Sequence, residues 1–299
     1  MNILVSGGTI FVSKYISEYF RDLNYNVYIF NRGNNLQPEG VTSIKADRNN
    51  LGDIFKNYSF DVVIDANGYT KDDVKNLHEA LGEFGVYIFI SSSAVYPECL
   101  KQPFNEDDNI SYNSYWKDYG LNKIEAEEYI KNNIKNHYII RPPYLYGPMN
   151  NIYREAFVFD CAINDLSFYI PNDGKMKLQF FYIKDLCRFI EKLIINKPNN
   201  RIYNVGNKEI VDINKWVNLC YEVLNKKPNI INVYEDIDQK KYFPFLNYSY
   251  VLDIKRQEEL LDDLTPLLDG LKESYDWYIK NKEKVKRKLL IEYITDNLK

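Results

Sequence analysis

The sequence predicts an α/β fold, a doubly wound parallel sheet with a smaller, mainly helical C-terminal lobe, and three observations carry that expectation. Short apolar runs alternate with stretches of helical apolar spacing through the first half of the chain. The runs end in turn formers, as buried strands of a parallel sheet do. After about Gly147 the rhythm is lost, so residues 1–145 are assigned to the sheet-bearing domain and 146–299 to a second, substrate-binding lobe, with segments near 176–207 returning to the first.

Taken in order, Asn2 to Ser6 is an apolar strand that stops on Gly7 and Gly8, and Phe11 to Leu23 follows with helical spacing. Asn26 to Phe30 is a strand ending at Asn31-Arg32-Gly33, and Val41 to Ala46 is one ending at Asp47. Phe60 to Asp65 reads as a strand, Thr70 to Glu83 as a helix, and Val86 to Ile90 as a strand that runs into Ser91-Ser92-Ser93. Cys99 to Asn113 mixes Pro, Asn, Asp and Glu and is a loop, whereas Tyr115 to Asn133 carries strong helix formers. Tyr138 to Arg141 is a strand halted by Pro142 and Pro143. Phe180 to Ile183 and Ile202 to Val205 look like strands returning to the first sheet. The last third is mostly helical, and its charged run from Lys280 to Lys288 is expected to be a solvated helix face.

Composition narrows the partners. A formal charge of -4 and a pI near 5.5 remove the broad attraction that phosphate backbones and anionic lipid surfaces require. No nucleic acid is therefore expected. The four cysteines have no paired short spacing, so they read as reduced thiols rather than a metal knuckle or disulfide framework. His78 and His137 stand apart from any serine or acidic cluster, so both are expected to be structural and no metal is assigned. The first apolar run breaks at once on Ser6, Gly7 and Gly8, and nothing approaches the ~20 consecutive apolar residues of a membrane helix. A cytoplasmic protein with no membrane partner is expected.

In a sheet of this kind ligands bind beyond the carboxyl ends of the strands. Ser6 to Ser13 lies between the first strand and the first helix, where backbone amides and the helix dipole can hold a pyrophosphate. The usual second and third glycines of that fingerprint fall on Ile10 and Ser13. Gly7 still permits the close turn, Ile10 is accommodated if its side chain points away from the phosphates, and Ser13 is small enough for the helix to approach the sheet. A tight turn with no ligand is the alternative for this stretch taken alone. After the second strand, where many NAD enzymes place a ribose-binding acid, stand Asn31 and Arg32. Arg32 is a permanent cation whose planar fork matches phosphate, which tilts the choice between NAD and NADP toward NADP. Asp47 and Arg48 are candidates to flank the adenine.

Tyr119 and Lys123 are four apart on the expected helix and so lie on one face. A nearby ammonium favours the phenolate of a tyrosine whose phenol titrates near 10 in water, and such a phenol can exchange protons with a substrate hydroxyl. Tyr278 and Lys282 share that spacing but follow no serine-ended strand, so Tyr278 and Trp277 read as packing residues. Ser91-Ser92-Ser93 ends such a strand and can bring a hydroxyl to the oxygen that Tyr119 meets.

The ordered stretches VSGGTIFVS, FNRG, KADR, DVVIDANG, ISSSAVYP, DYGLNKIEAE, IIRPPYLYGP, QFFYIKDL and IYNVGNKEIVDI resemble the extended short-chain dehydrogenase/reductase family of NAD-dependent epimerases and dehydratases. They are most similar to a divergent branch that includes epimerase-like proteins and plastid RNA-binding relatives. The resemblance implies a Rossmann-type sheet, and a homodimer built through the Tyr119 helix. It also implies that Ser92, three positions before Val95-Tyr96, is catalytic together with Tyr119 and Lys123. Carried over residue by residue, the cofactor would touch Gly7, Thr9, Ile10, Phe11, Val12, Asn31, Arg32, Asp47, Arg48, Ala66, Asn67, Tyr119, Lys123, Pro142 and Pro143. Ser93, Tyr144 and Gln179 are the substrate candidates. Many sugar-nucleotide members place a phosphate-binding Asn where Tyr144 stands, and often an Arg where this chain reads Lys177-Leu-Gln-Phe-Phe181.

The expected activity is hydride transfer at a secondary hydroxyl, of a sugar or nucleotide sugar, by an NAD(P)-dependent epimerase or oxidoreductase in which Tyr119 moves the proton. Elimination of water would call for an acid beside the serine, and Ser93 and Ala94 occupy those places. The alternative is a catalytically idle cofactor-binding regulator or RNA-associated protein of the same fold. The retained Tyr119, Lys123 and Ser92, with the acidic net charge, argue against it.

Overall fold

Strand and helix alternate as the apolar periodicity requires. The computed structural model describes residues 1–298. Its first elements are β1 (Asn2–Ser6), α1 (Phe11–Asp22), β2 (Asn26–Asn31), β3 (Thr42–Lys45), β4 (Phe60–Asp65), α2 (Lys71–Ala80), β5 (Phe84–Ile90), α3 (Asp118–Asn133) and β6 (His137–Arg141). There follow β7 (Tyr144–Tyr146), α4 (Glu155–Ile163), β8 (Phe168–Pro171), β9 (Lys177–Leu178), β10 (Phe180–Tyr182), α5 (Ile183–Asn196) and β11 (Ile202–Asn204). The chain closes with β12 (Val211–Asp212), α6 (Ile213–Glu222), β13 (Ile230–Val233), α7 (Lys255–Glu258), α8 (Leu267–Lys280) and α9 (Leu290–Asn297).

Two compact units divide the chain. The first holds Met1–Pro143, Ile183–Gly206 and Leu252–Asp263; the second holds Tyr144–Tyr182, Asn207–Val251 and Leu264–Lys299. In the first, seven strands form one sheet in the order β11-β6-β5-β4-β1-β2-β3, every neighbouring pair parallel. The chain winds outward from β1 in both directions, so a crevice opens beyond the carboxyl ends of β1 and β4. Leu4, Val63, Tyr87 and Phe89 of the sheet bury one face against Val74 and Leu77 of α2 and Ala126 and Ile130 of α3. α1 packs with α5, and helices on both faces are what a parallel sheet needs to keep its apolar strands from water.

Helix ends differ from the sequence reading for local reasons. α2 opens on a capping box in which Thr70 and Asp73 satisfy one another's backbone amides, and it stops at Ala80 because Leu81 turns extended, with ψ 142°. α3 starts at Asp118, not Tyr115. Asn113 Oδ1 accepts the amides of Tyr115 and Trp116 at 2.9 and 3.3 Å, and Lys117 takes a left-handed φ of 49°, so the segment is a turn that feeds the helix.

In the second unit β10 pairs with β7 and β8 with β13, both parallel, and β9 pairs with β12 antiparallel. Of the two short runs expected to return to the large sheet, Ile202–Asn204 joins it beside β6 and Phe180–Tyr182 pairs with Tyr144–Tyr146 instead. Its aromatic side chains explain the difference, since Phe180 stacks on Trp216 at 5.9 Å and meets Tyr146 edge-on at 5.8 Å. The Lys280–Lys288 run is not a helix face. α8 ends at Lys280, a 3₁₀ turn covers Lys282–Lys284, and Lys286 bridges to Ile152. Val285 is buried, while most of the charged residues around it are exposed, as expected of the run. Tyr278 packs inside this unit and donates to Asp160 Oδ1 at 2.5 Å. No helix among the described residues is long and apolar enough to cross a membrane.

α3 is fastened to the sheet by a buried fork. Arg141 Nε and Nη2 donate to the two oxygens of Glu127 at 3.0 and 2.6 Å, and Ser91 Oγ donates to Glu127 Oε1 at 2.6 Å. Arg141 Nη1 also donates to Tyr96 Oη at 2.7 Å. Burial alone would raise the Glu127 carboxyl, but the Arg141 charge and these hydrogen bonds hold it below its ordinary value. Its stabilising contribution is therefore complete above the unfolded carboxyl range and is lost as pH falls from that range through the lowered value of the folded protein. We expect Glu127→Ala to cost about 3–5 kcal/mol, because it strands a buried guanidinium. Urea unfolding at neutral pH measures this, and the gap between the two proteins should narrow in acid.

Candidate active site

The turn after β1 is shaped for an anion. Gly7 has φ 87°, and a Cβ there would lie 2.9 Å from Ser13 Oγ and 3.1 Å from Asn67 Nδ2. Only glycine fits so close a turn. Ser13 is buried and donates to Ile10 O at 3.0 Å, while Ile10 is 44% exposed. Phe11 carries a left-handed φ of 33° where the helix begins, and Val12 is half-buried. No side chain caps α1, and its first turn holds no acid. Its free amide ends and dipole therefore suit a pyrophosphate. The residues present fit a dinucleotide, which would lie with its phosphates at this turn.

At the end of β2 Asn31 Nδ2 donates to Gly7 O at 2.8 Å, and Asn31 Oδ1 accepts Gly33 N at 2.8 Å. Asn35 Nδ2 donates to Thr9 Oγ1 at 3.3 Å. Arg32 is exposed beside them, so this corner carries amides and a cation. Asp47 is exposed and caps its own turn, accepting Asn49 N at 3.0 Å. Arg48 turns inward. Its Nη2 donates to Asp65 Oδ1 at 2.6 Å and to Asn67 Oδ1 at 2.7 Å, and its Nη1 donates to Asp65 Oδ2 at 3.0 Å. Ala66 and Asn67 give their amides to Ser6 Oγ at 2.9 and 3.3 Å.

The Tyr-Lys pair lies on α3. Lys123 is 2% exposed, and its Nζ donates to Gly68 O at 2.7 Å and Ile90 O at 2.8 Å. It also lies over the rings of Phe89 at 4.6 Å and Tyr69 at 5.3 Å. Burial pushes the ammonium down to about 8, while the charges of Asp65 and Glu127 act the other way. Tyr119, one helical turn earlier, is 38% exposed, and its ring lies 6.4 Å from Tyr69 and 6.3 Å from Trp116. Tyr69 thus borders both members of the pair. Ser92 is half-buried and caps a 3₁₀ turn, Ser93–Val95, accepting Ala94 N at 3.2 Å. α3 can press against that turn because residue 120 is glycine: a Cβ there would lie 2.6 Å from Ala94 O. Ser93 is buried, with its amide on Pro142 O at 3.0 Å, and Pro143 is buried beside it in sequence.

Tyr144 and Gln179 are held inside the second unit. Tyr144 packs on Phe245 at 4.7 Å and Tyr250 at 5.6 Å with the Arg154 guanidinium 5.0 Å from its ring, and Gln179 Nε2 donates to Asn207 O at 3.2 Å. Asp65, Tyr69 and the carbonyls of Gly68 and Ile90 join the site without standing among the sequence candidates. An acid at the inner end of an apolar strand was the signal for Asp65, but a backbone carbonyl has no side-chain signature.

Residues 3–206 match the NAD dependent epimerase/dehydratase family. The chain belongs to that family. It is accordingly an NAD(P)-dependent enzyme of the extended short-chain dehydrogenase/reductase type. Chloroplast stem-loop binding protein of 41 kDa b from Arabidopsis thaliana is 27% identical over 92% of this chain and 78% of its own length. The fold is that of dTDP-glucose 4,6-dehydratase from Bacillus anthracis, solved with NAD, at TM-score 0.77 and 18% identity over 95% of this chain and 98% of that one. UDP-glucuronic acid 4-epimerase from Bacillus cereus, solved with UDP-glucuronic acid and NAD, gives TM-score 0.72 and 21% identity over 94% and 99%.

The phosphate turn yields a direct expectation. Gly7→Ala adds a Cβ in a left-handed backbone position, a strain of about 1–2 kcal/mol, and crowds Ser13 and Asn67. NADH affinity measured by fluorescence titration should fall about tenfold or more, with the circular dichroism of the folded protein unchanged.

Proposed function

We propose that this enzyme is an epimerase or oxidoreductase that oxidises and reduces a secondary hydroxyl of a sugar or nucleotide sugar, with Tyr119 moving the hydroxyl proton. The observation that carries the reading is the buried Lys123 ammonium, held at the strand ends by Gly68 O and Ile90 O one turn from the half-exposed phenol of Tyr119. A bound nicotinamide would supply the redox chemistry, taking the hydride from the hydroxyl-bearing carbon and returning it. Tyr119 accepts the proton from the hydroxyl as oxidation proceeds and returns it on reduction. Lys123 favours the charged phenolate, and the Ser92 hydroxyl donates a hydrogen bond to the reacting oxygen. Ser93 and Ala94 are buried and supply no acid, so elimination of water lacks a proton donor there.

Nucleotide sugars are the leading substrates because the Bacillus cereus structure holds UDP-glucuronic acid. Tyr144 and Gln179, the substrate candidates in the stretches where family members often carry a phosphate-binding Asn or Arg, are engaged in interior packing and with a backbone carbonyl, which supports a substrate that draws little from them. For the cofactor, Asn31 in place of an acid and the exposed Arg32 support NADP over NAD. A second reading, binding of a nucleic-acid stem-loop, rests on the name of the Arabidopsis thaliana relative and is opposed by the net charge of -4.

The test mixes the purified enzyme and its cofactor with a panel of UDP-, GDP- and dTDP-sugars, following nicotinamide absorbance and sugar configuration. Tyr119→Phe should lower turnover of the active sugar about 10²–10⁴-fold while leaving cofactor affinity within about twofold of the parent. Undiminished turnover in that variant, or tight stem-loop binding with no sugar turnover, would overturn the reading. Arg32→Ala should weaken NADPH more than NADH by about tenfold.

A further inference from the structure

Beneath the phosphate turn lies an ion pair that the proposed chemistry does not use. Asp65, at the carboxyl end of β4, is fully buried. It accepts Ser6 Oγ at 2.7 Å, Tyr87 Oη at 2.7 Å and both Nη groups of Arg48. Burial alone would raise this carboxyl, and the Arg48 charge with its hydrogen bonds holds it well below the ordinary range. Arg48 lies over the Phe30 ring at 5.5 Å and does more than neutralise Asp65. Its Nη2 donates to Asn67 Oδ1 at 2.7 Å, and its Nη1 donates to Asp73 O at 2.9 Å, which brackets the loop between β4 and α2 at both ends. Within that loop Asn67 lies against Gly7, and the Gly68 carbonyl receives the Lys123 ammonium.

We propose that Arg48, oriented by Asp65, is a positioning residue of the active site: it fixes residues 66–68 so that Asn67 abuts the phosphate turn and the Gly68 carbonyl meets Lys123. This rests on the cofactor-binding reading given above. A guanidinium suits the task because its planar fork reaches two carboxylate oxygens, a side-chain amide and a backbone carbonyl at once, and an ammonium does not. The effect on cofactor and lysine runs through the loop, since the Arg48 guanidinium is engaged by Asp65, Asn67 and Asp73 O.

Four proteins test it: the parent, Arg48→Met, Arg48→Lys, and the double variant Arg48→Met with Asp65→Asn. The single variant strands a buried carboxylate and should lose thermal stability. The double variant removes both charges, keeps polar atoms for Ser6 and Tyr87, and should regain much of that stability. A purely structural pair would then give parental cofactor binding. Positioning predicts otherwise: well below each melting temperature, the double variant binds NADPH at least tenfold more weakly than the parent, and amide exchange at residues 66–69 is faster. Arg48→Lys should fall between the two. Parental affinity and parental exchange in the double variant would overturn the proposal alone. If the parent itself binds neither NADH nor NADPH, the cofactor reading fails and the proposal falls with it.

Discussion

The burial of one ammonium orders the site. Removing a lysine charge from water costs several kcal/mol unless hydrogen bonds and nearby charge replace the lost solvation. Here two carbonyls, two aromatic faces and the more distant charges of Asp65 and Glu127 do so in part. One carbonyl comes from the loop after β4 and the other from the end of β5, so the nitrogen of Lys123 brings three elements into one register. A small shift of any of them leaves a buried charge without partners, and that penalty is what makes the arrangement specific.

The same logic runs along α3. Tyr119, Lys123 and Glu127 are spaced by four and form one stripe, passing from a half-exposed phenol to a buried ammonium to a buried carboxylate. The carboxylate is locked by Arg141 and Ser91, and Ser91 directly precedes Ser92. A helix fastened at its inner end therefore presents its outer end, where Tyr119 lies, at a fixed height above the sheet. Glycine at position 120 removes the last obstacle to close approach. Polar residues on this helix face are thus explained by the sheet they meet.

The strands of the large sheet were legible because each is an apolar run bounded by turn formers, and the order of motifs along the chain pointed to the family. The glycine turn after β1 was legible in part. Ile10 and Ser13 stand where glycines are usual, and the structure shows the first turned to solvent and the second buried against the turn. Other features were hidden for physical reasons. The pairing of Phe180–Tyr182 depends on aromatic packing with distant residues, and the inward turn of Arg48 depends on an acid seventeen positions on. The charges of the Lys280–Lys288 run are mostly exposed, as expected, but the run is not a helix, and a buried Val285 and one bridge to Ile152 set its course.

The state of the Lys123 nitrogen is open to direct measurement. Carbon-13 labelling of the lysine side chains, with Lys123→Met to assign the signal, allows its titration to be followed by NMR in the ligand-free protein. A midpoint near 8 is predicted, because burial lowers the affinity for the proton. A midpoint near 10.4, that of a lysine in water, would show the ammonium to be solvated and would contradict the site described above.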